Sequence, residues 1–168
     1  MRDRKVQKMV TAALFTGAAI LFGYVETLLP IPLPVPGMKL GLANIAVLAV
    51  LYTAGPVMTV ASDLVRILVC GLLFTGLYGF LFSLAGGMVS LLVEILLFRS
   101  RKFGVTGVSV AGAVAHQAGQ ILVAVPLLGS SAVAGLFPVL GAFAIGTGVV
   151  IGLTASELIR HLPGSEKV

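Results

Sequence analysis

Apolar positions along this chain come in long continuous runs, not in the period-two alternation of membrane barrel strands, so the pattern predicts helices. Breaks at Pro, Gly and charge clusters leave six hydrophobic segments, at about 9–29, 40–54, 56–74, 77–98, 105–128 and 132–159. The first run, Met9 to Leu29, covers 21 residues, which suits a hydrocarbon core about 30 Å thick. It follows the basic start MRDRKVQK, and no small-residue cleavage site ends it. The expectation is a retained first helix and not a removed signal peptide. The second segment is short, roughly 15 residues or about 22 Å at 1.5 Å per residue. Before it stands PIPLPVPGMKLGLAN, residues 30–44. Pro30, Pro32, Pro34 and Pro36 cannot continue a helix, so they predict an extended connection that dips into the bundle before Gly37 turns it. The second helix then begins below the membrane surface.

Composition fixes the solvent. Of 168 residues, 58% are hydrophobic, only 10% are charged and none is tryptophan. A soluble domain carries about 25% charged residues. In lipid every backbone polar group has to be satisfied internally, which leaves an all-α integral membrane protein. The expected architecture is one transmembrane domain over 1–168, a six-helix bundle. An even number of spans puts both termini on one side. Arg2, Arg4, Lys5, Lys8, Arg99, Arg101, Lys102, Arg160 and Lys167 are nine of the eleven cations, and all fall on that side. The positive-inside rule makes it cytoplasmic, in a bacterial cell membrane crossed several times. The lone Cys70 permits no internal disulfide and has no metal-ligating neighbours, so packing is its expected role.

A few polar residues interrupt the apolar background. Lys39, Gly41 and Asn44 stand at the start of the second helix, where free N–H groups and the positive dipole end favour an anion. The bland alternative has Lys39 snorkelling to the headgroups and Asn44 bonding a nearby carbonyl. Asp63 and Arg66 are three apart, hence on one helix face near mid-membrane, where ionisable groups are costly and usually functional. They can also simply pair. His116, Gln117 and Gln120 form a polar face on the fifth helix, explicable by interhelical hydrogen bonding alone. No second His, Cys or carboxylate stands at ligand spacing, so no metal site is expected. Glu26, near the outer end of the first helix, either closes the same pocket or faces water. Glu94 beside Arg99, and Glu157 beside Arg160 and His161, read as interfacial pairs at cytoplasmic helix ends.

These candidates converge on the middle or outer half of the bundle, which suggests an outward-opening site for a small anionic or zwitterionic molecule. On the first helix, Ala12, Ala13, Thr16 and Gly17 lie within two turns and include a small-xxx-small match at Ala13 and Gly17. That favours close contact with another helix, inside the bundle or from a partner. No G-x-x-x-x-G-K-[ST] loop is present. The six acidic residues cannot form the aspartate clusters that hold several Mg2+ ions on a diphosphate. No enzyme activity and no cofactor are therefore expected.

The stretches PGMKLGLANI, SDLVRILVCGLLF, SLAGGMVSLLVE and AVAHQAGQILVA together resemble a family of bacterial membrane proteins known as heptaprenyl diphosphate synthase component I or Gx transporter. The likeness covers nearly the whole chain. That family is similar to the substrate-binding S components of energy-coupling-factor (ECF) transporters, which are six-helix proteins with an outward-facing site. The resemblance implies substrate capture, followed by toppling in the membrane on a transmembrane scaffold subunit driven by two cytoplasmic ATPases. It also implies a docking pattern of Ala-x-x-x-Ala on the first helix, which here falls on Ala13 and Gly17. The substrate class it suggests is a small anionic or amphipathic molecule, like a vitamin or an isoprenoid or quinone precursor. The alternative is a non-catalytic membrane subunit of heptaprenyl diphosphate or quinone synthesis. Neither reading involves nucleic acid.

Overall fold

The structure is a computed structural model that describes residues 2–28 and 41–162, with side chains from residue 5 onward. Lys39, the proline stretch 30–36 and Lys167 lie outside the described residues. The helices are α1 (Arg2–Leu28), α2 (Asn44–Thr53), α3 (Pro56–Cys70), α4 (Gly76–Ser100), α5 (Val105–Leu128) and α6 (Phe137–Arg160). A π-helical turn, Gly71–Thr75, extends α3, and a 3-10 turn, Ser131–Leu136, leads into α6. Among the described residues there is no strand.

Four stretches are long and apolar enough to cross a membrane: Lys5–Leu28, Pro56–Ser100, Val105–Leu128 and Ser131–Arg160. The second of these, 45 residues long, folds back on itself. Gly76 takes φ 66, a left-handed value that a helix interior does not allow, so α3 with its π turn ends there and α4 starts. The two limbs pack together: a methyl on Gly71 would strike the Phe80 side chain, and one on Gly87 would strike Ile67. The 10-residue α2 is the exception in length. At 1.5 Å per residue it is about 15 Å long, half of a bilayer core.

Contacts fix the relative directions. Ala12 of α1 packs with Val50 of α2 and with Ala54 just past its end, whereas Ala19 packs with Ala43 and Ala46 at its start, so α1 and α2 run oppositely. Gly23 meets Cys70, and Ala12 lies in the cluster that includes Met58, so α1 and α3 run the same way. Ser90 bonds the Gly112 carbonyl while Gly119 meets Ala85 and Gly86, making α4 and α5 antiparallel. Gly148 and Gly152 bring the α6 backbone against Val110 and Thr106 of α5, close enough that a methyl would lie 2.8 Å and 2.7 Å from their Cα atoms. Small residues are what allow this approach where lipid supplies no hydrophobic drive. The start of α1 and the ends of α4 and α6 therefore share one end of the bundle, together with exposed Lys5, Lys8, Arg99, Arg101, Lys102 and Arg160.

The bundle is apolar outside and polar within. Val57 is 80% exposed, Leu72 77% and Leu14 71%, whereas Asp63 is 2% exposed and both Glu94 and Gln120 are 0%. Lipid is the solvent that stabilises this arrangement. The centre is α2, a mostly apolar helix that is buried from Ala46 to Thr53. Its Leu48, Ala49 and Leu51 pack against Val108 of α5 and Ile151, Ala155 and Ile159 of α6.

Three expected boundaries move. Helix α1 begins at Arg2 and not near residue 9, because hydropathy marks the lipid-immersed part of a helix and backbone bonding continues into the basic segment. Helix α2 begins at Asn44 and not at 40, because Gly41 has φ 91 and forms a turn in which Asn44 N–H bonds the Gly41 carbonyl at 2.8 Å. The last α-helix begins at Phe137, five residues after the expected start, with Pro138 in its first turn, where proline costs no hydrogen bond.

Candidate functional site

A cavity of about 40 Å³ lies between α1, α2, α3, α4, α5 and α6. Its wall takes Glu26 from α1, Gly41, Ala43 and Asn44 from the start of α2, Asp63 and Arg66 from α3, and His116 and Gln117 from α5. Ser83, Gly87, Ser90 and Leu91 of α4, Ala113 of α5 and Ala144, Thr147 and Ile151 of α6 complete it. Six of the eight sequence-derived candidates thus share one chamber with Asn44 and Gln117 among them. Gln120 does not line it, and Lys39 lies outside the described residues.

Asp63 and Arg66 are an ion pair within one helix turn. Arg66 Nε donates to Asp63 Oδ1 at 2.6 Å, and Nη2 reaches the same oxygen at 2.6 Å. The other carboxylate oxygen, Oδ2, points across to α4, where glycine makes room: a methyl at Gly87 would lie 3.1 Å from it. The two charges therefore neutralise each other and also face the cavity.

The start of α2 corrects one expectation. The N–H groups proposed to hold a bound anion are taken by the protein's own carboxylate: Glu26 Oε1 accepts from Gly41 N at 2.6 Å and from Leu42 N at 3.1 Å. A helix start favours negative charge, and the side chain sixteen residues upstream of Leu42 supplies it. Glu26 belongs to the cavity wall and does not merely face water.

Asn44 corrects another. Its Nδ2 donates to Glu94 Oε1 at 2.7 Å, a bond that joins α2 to α4 across 50 residues of sequence. Ser90 Oγ lies 3.3 Å from the same oxygen and 3.0 Å from the Gly112 carbonyl of α5. Glu94 is therefore no interfacial partner of Arg99. It is fully buried directly behind two cavity-lining residues, and Gly112 leaves space that any side chain would take from its carboxylate. The acidic residue at the other helix end does behave as expected: Glu157 is exposed, 3.6 Å from Arg160 and 3.8 Å from His161.

On α5 both His116 and Gln117 line the cavity, and Gln120 Nε2 pairs with His116 Nε2 at 3.1 Å, the pair seated against Gly86. Sequence reasoning missed Ser83, Ser90 and Thr147. Their signal was available, since Ser83, Gly87 and Ser90 repeat at helical spacing on one face of an otherwise apolar α4. Three buried oxygens have no partner among the described residues around this chamber: Ser83 Oγ, Gln117 Oε1 and Glu94 Oε2. Among the described residues no group of three His, Cys, Asp or Glu side chains is placed to hold a metal.

The small-residue face of α1 splits in two. Ala12 is buried against Val50 and Ala54, and Thr16 Oγ1 donates back to the Ala12 carbonyl at 2.7 Å. These two serve the bundle itself. Ala13 and Gly17 point outward, and a methyl on Gly17 would meet nothing within 4 Å. Cys70 is buried against Gly23 of α1, a packing role.

A helical membrane protein with a polar chamber at its centre is the class these observations define. The chain belongs to the family described as heptaprenyl diphosphate synthase component I, whose model matches residues 15–158. No curated protein and no solved structure matches it.

Proposed function

We propose that the chain is the substrate-binding membrane component of an ECF-type uptake transporter, with no catalytic activity of its own. The observation that carries this reading is the chamber itself: Glu26, Asn44, Asp63, Arg66, His116 and Gln117 from four helices face one cavity inside an apolar bundle. Buried ionisable groups are expensive in a membrane, and they persist where they face a ligand path. The chain has no phosphate-cradling loop, so energy would come from partner ATPases on a scaffold subunit. In this reading the chain crosses the membrane six times, with α2 the short crossing, and the shared basic end is cytoplasmic. Cysteines placed at Ser130 and Lys102 test the topology: an impermeant thiol reagent added outside cells should label the first and spare the second.

A second reading is favoured by the family's description: a non-catalytic membrane subunit that supports heptaprenyl diphosphate synthesis. Mass spectrometry of what co-purifies in mild detergent separates the two. A small molecule together with ATPase subunits supports transport. A soluble synthase subunit without ATPases overturns it.

A further inference from the structure

Beside the polar chamber lies a second feature, an apolar groove of about 520 Å³ lined by Leu42, Ala142, Phe143, Gly146 and Val150. Thr147 and Ile151 line both, so a single turn of α6 is the wall between them. The sizes are unequal in a telling way. Sites for whole small molecules run to about 300–1,000 Å³. At about 40 Å³ the chamber has space for only a few waters or one compact polar group. The groove brings the combined space into the usual range, but its wall is almost wholly apolar.

Charge narrows the polar end. The ionisable side chains on the chamber wall, besides His116, are Glu26, Asp63 and Arg66 among the described residues. The guanidinium is held by Asp63, and Glu26 is held by two backbone N–H groups, so no described cation stands unmatched toward the chamber. The unpaired lining atoms, Ser83 Oγ and Gln117 Oε1, carry lone pairs and can accept. Such a wall offers acceptors to a head group that donates hydrogen bonds, with no described charge left over for an added anion.

We infer that the ligand is an amphiphile whose compact hydrogen-bond-donating head, an amine or alcohol and not a phosphate, enters the chamber past Thr147 while its apolar tail lies in the α6 groove. This rests on the binding-site reading above and narrows its substrate class. It also sets the chain against a prenyl diphosphate as cargo.

The test uses the full chain in phosphatidylcholine nanodiscs and a dodecylamine carrying a diazirine near its tail end. After photolysis, cross-links are mapped by peptide mass spectrometry and competed with dodecylamine, dodecanol, dodecyl phosphate and propylamine. Cross-links should fall within residues 142–150. Dodecylamine and dodecanol should compete at least about tenfold better than dodecyl phosphate, and propylamine, lacking nine methylenes, at least about tenfold worse than dodecylamine. Gly146→Leu fills the groove, since its added side chain starts in open space, and should cut labelling about tenfold while melting temperature stays unchanged. Preference for dodecyl phosphate overturns the head chemistry. Propylamine competing as well as dodecylamine overturns the tail site and leaves the chamber as a binding site. Labelling spread over the lipid-facing residues of all helices, indifferent to head group and to Gly146→Leu, overturns the inference and the binding-site reading with it.

Discussion

Two carboxylates lie buried in this bundle and are stabilised in opposite ways. Asp63 is matched by a full charge three residues away on its own helix, at 2.6 Å. Glu94 is matched only by neutral donors, Asn44 from α2 and Ser90 from α4, and it presses on Gly112 of α5. The first arrangement is complete within one turn of α3 and keeps its free side for the chamber. The second exists only once three helices have assembled. The local ion pair is complete without the other helices and faces the chamber, whereas the Glu94 cluster joins three helices and shapes the chamber through Asn44 and Ser90.

The difference is most exposed by breaking the pair. Asp63→Ala leaves the Arg66 guanidinium buried without its counter-charge, which costs about 3–5 kcal/mol, whereas removing both partners restores most of that loss. Thermal unfolding of the purified protein in detergent should show Asp63→Ala as the most damaging substitution of this set and Asp63→Ala/Arg66→Ala as milder than either single change. If the two losses simply add, the pair is not the unit described here.

Next in size is Gly112→Ala. Its methyl would overlap the Glu94 carboxylate, and overpacking of this kind costs about 1–3 kcal/mol. The same substitution in a Glu94→Ala background should lose most of that cost, because the atoms it strikes have gone. A Gly112→Ala penalty that survives the Glu94 truncation would put the strain elsewhere on α5.

Glu94→Gln should be nearly silent, within about 1 kcal/mol, since an amide oxygen still accepts from Asn44 and Ser90. Glu94→Ala leaves Asn44 Nδ2 without its acceptor and should cost more, about 1–3 kcal/mol. A large loss for Glu94→Gln would mean that charge, and not hydrogen-bond geometry, organises the cluster, and the contrast with Asp63 would dissolve.

The same contrast explains what was legible in the sequence. Asp63 and Arg66 share a helix face by spacing alone, and Gln117 declares itself by polarity on an apolar helix. Val105–Leu128 appears as a helix with its expected boundaries because Gly104 and Gly129 punctuate both ends. The chamber's other half was not legible. Asn44 meets Glu94 across 50 residues, Glu26 reaches back to Gly41 across 15, and no local pattern encodes either contact. Glu94 was misplaced for the same reason: proximity to Arg99 in sequence says nothing about the direction in which α4 turns its acid. Serines and a threonine hide well in membrane helices, where small hydroxyl residues recur for packing.

The smallest expected effect on stability belongs to the outer face of α1, and it sharpens the division between residues that build the bundle and those left for other contacts. Ala12 and Thr16 are engaged inside, whereas Ala13 and Gly17 stand one turn apart on the exposed side. Gly17→Leu adds a side chain into open space, so the unfolding free energy of the isolated protein should change by less than about 0.5 kcal/mol. If a scaffold helix packs there, small residues are what let the backbones approach, and leucine would separate them. Co-purification with a transmembrane partner should then fall in Gly17→Leu while head-group selectivity of the chamber stays as it was. Unchanged recovery of the partner would move its docking surface away from α1.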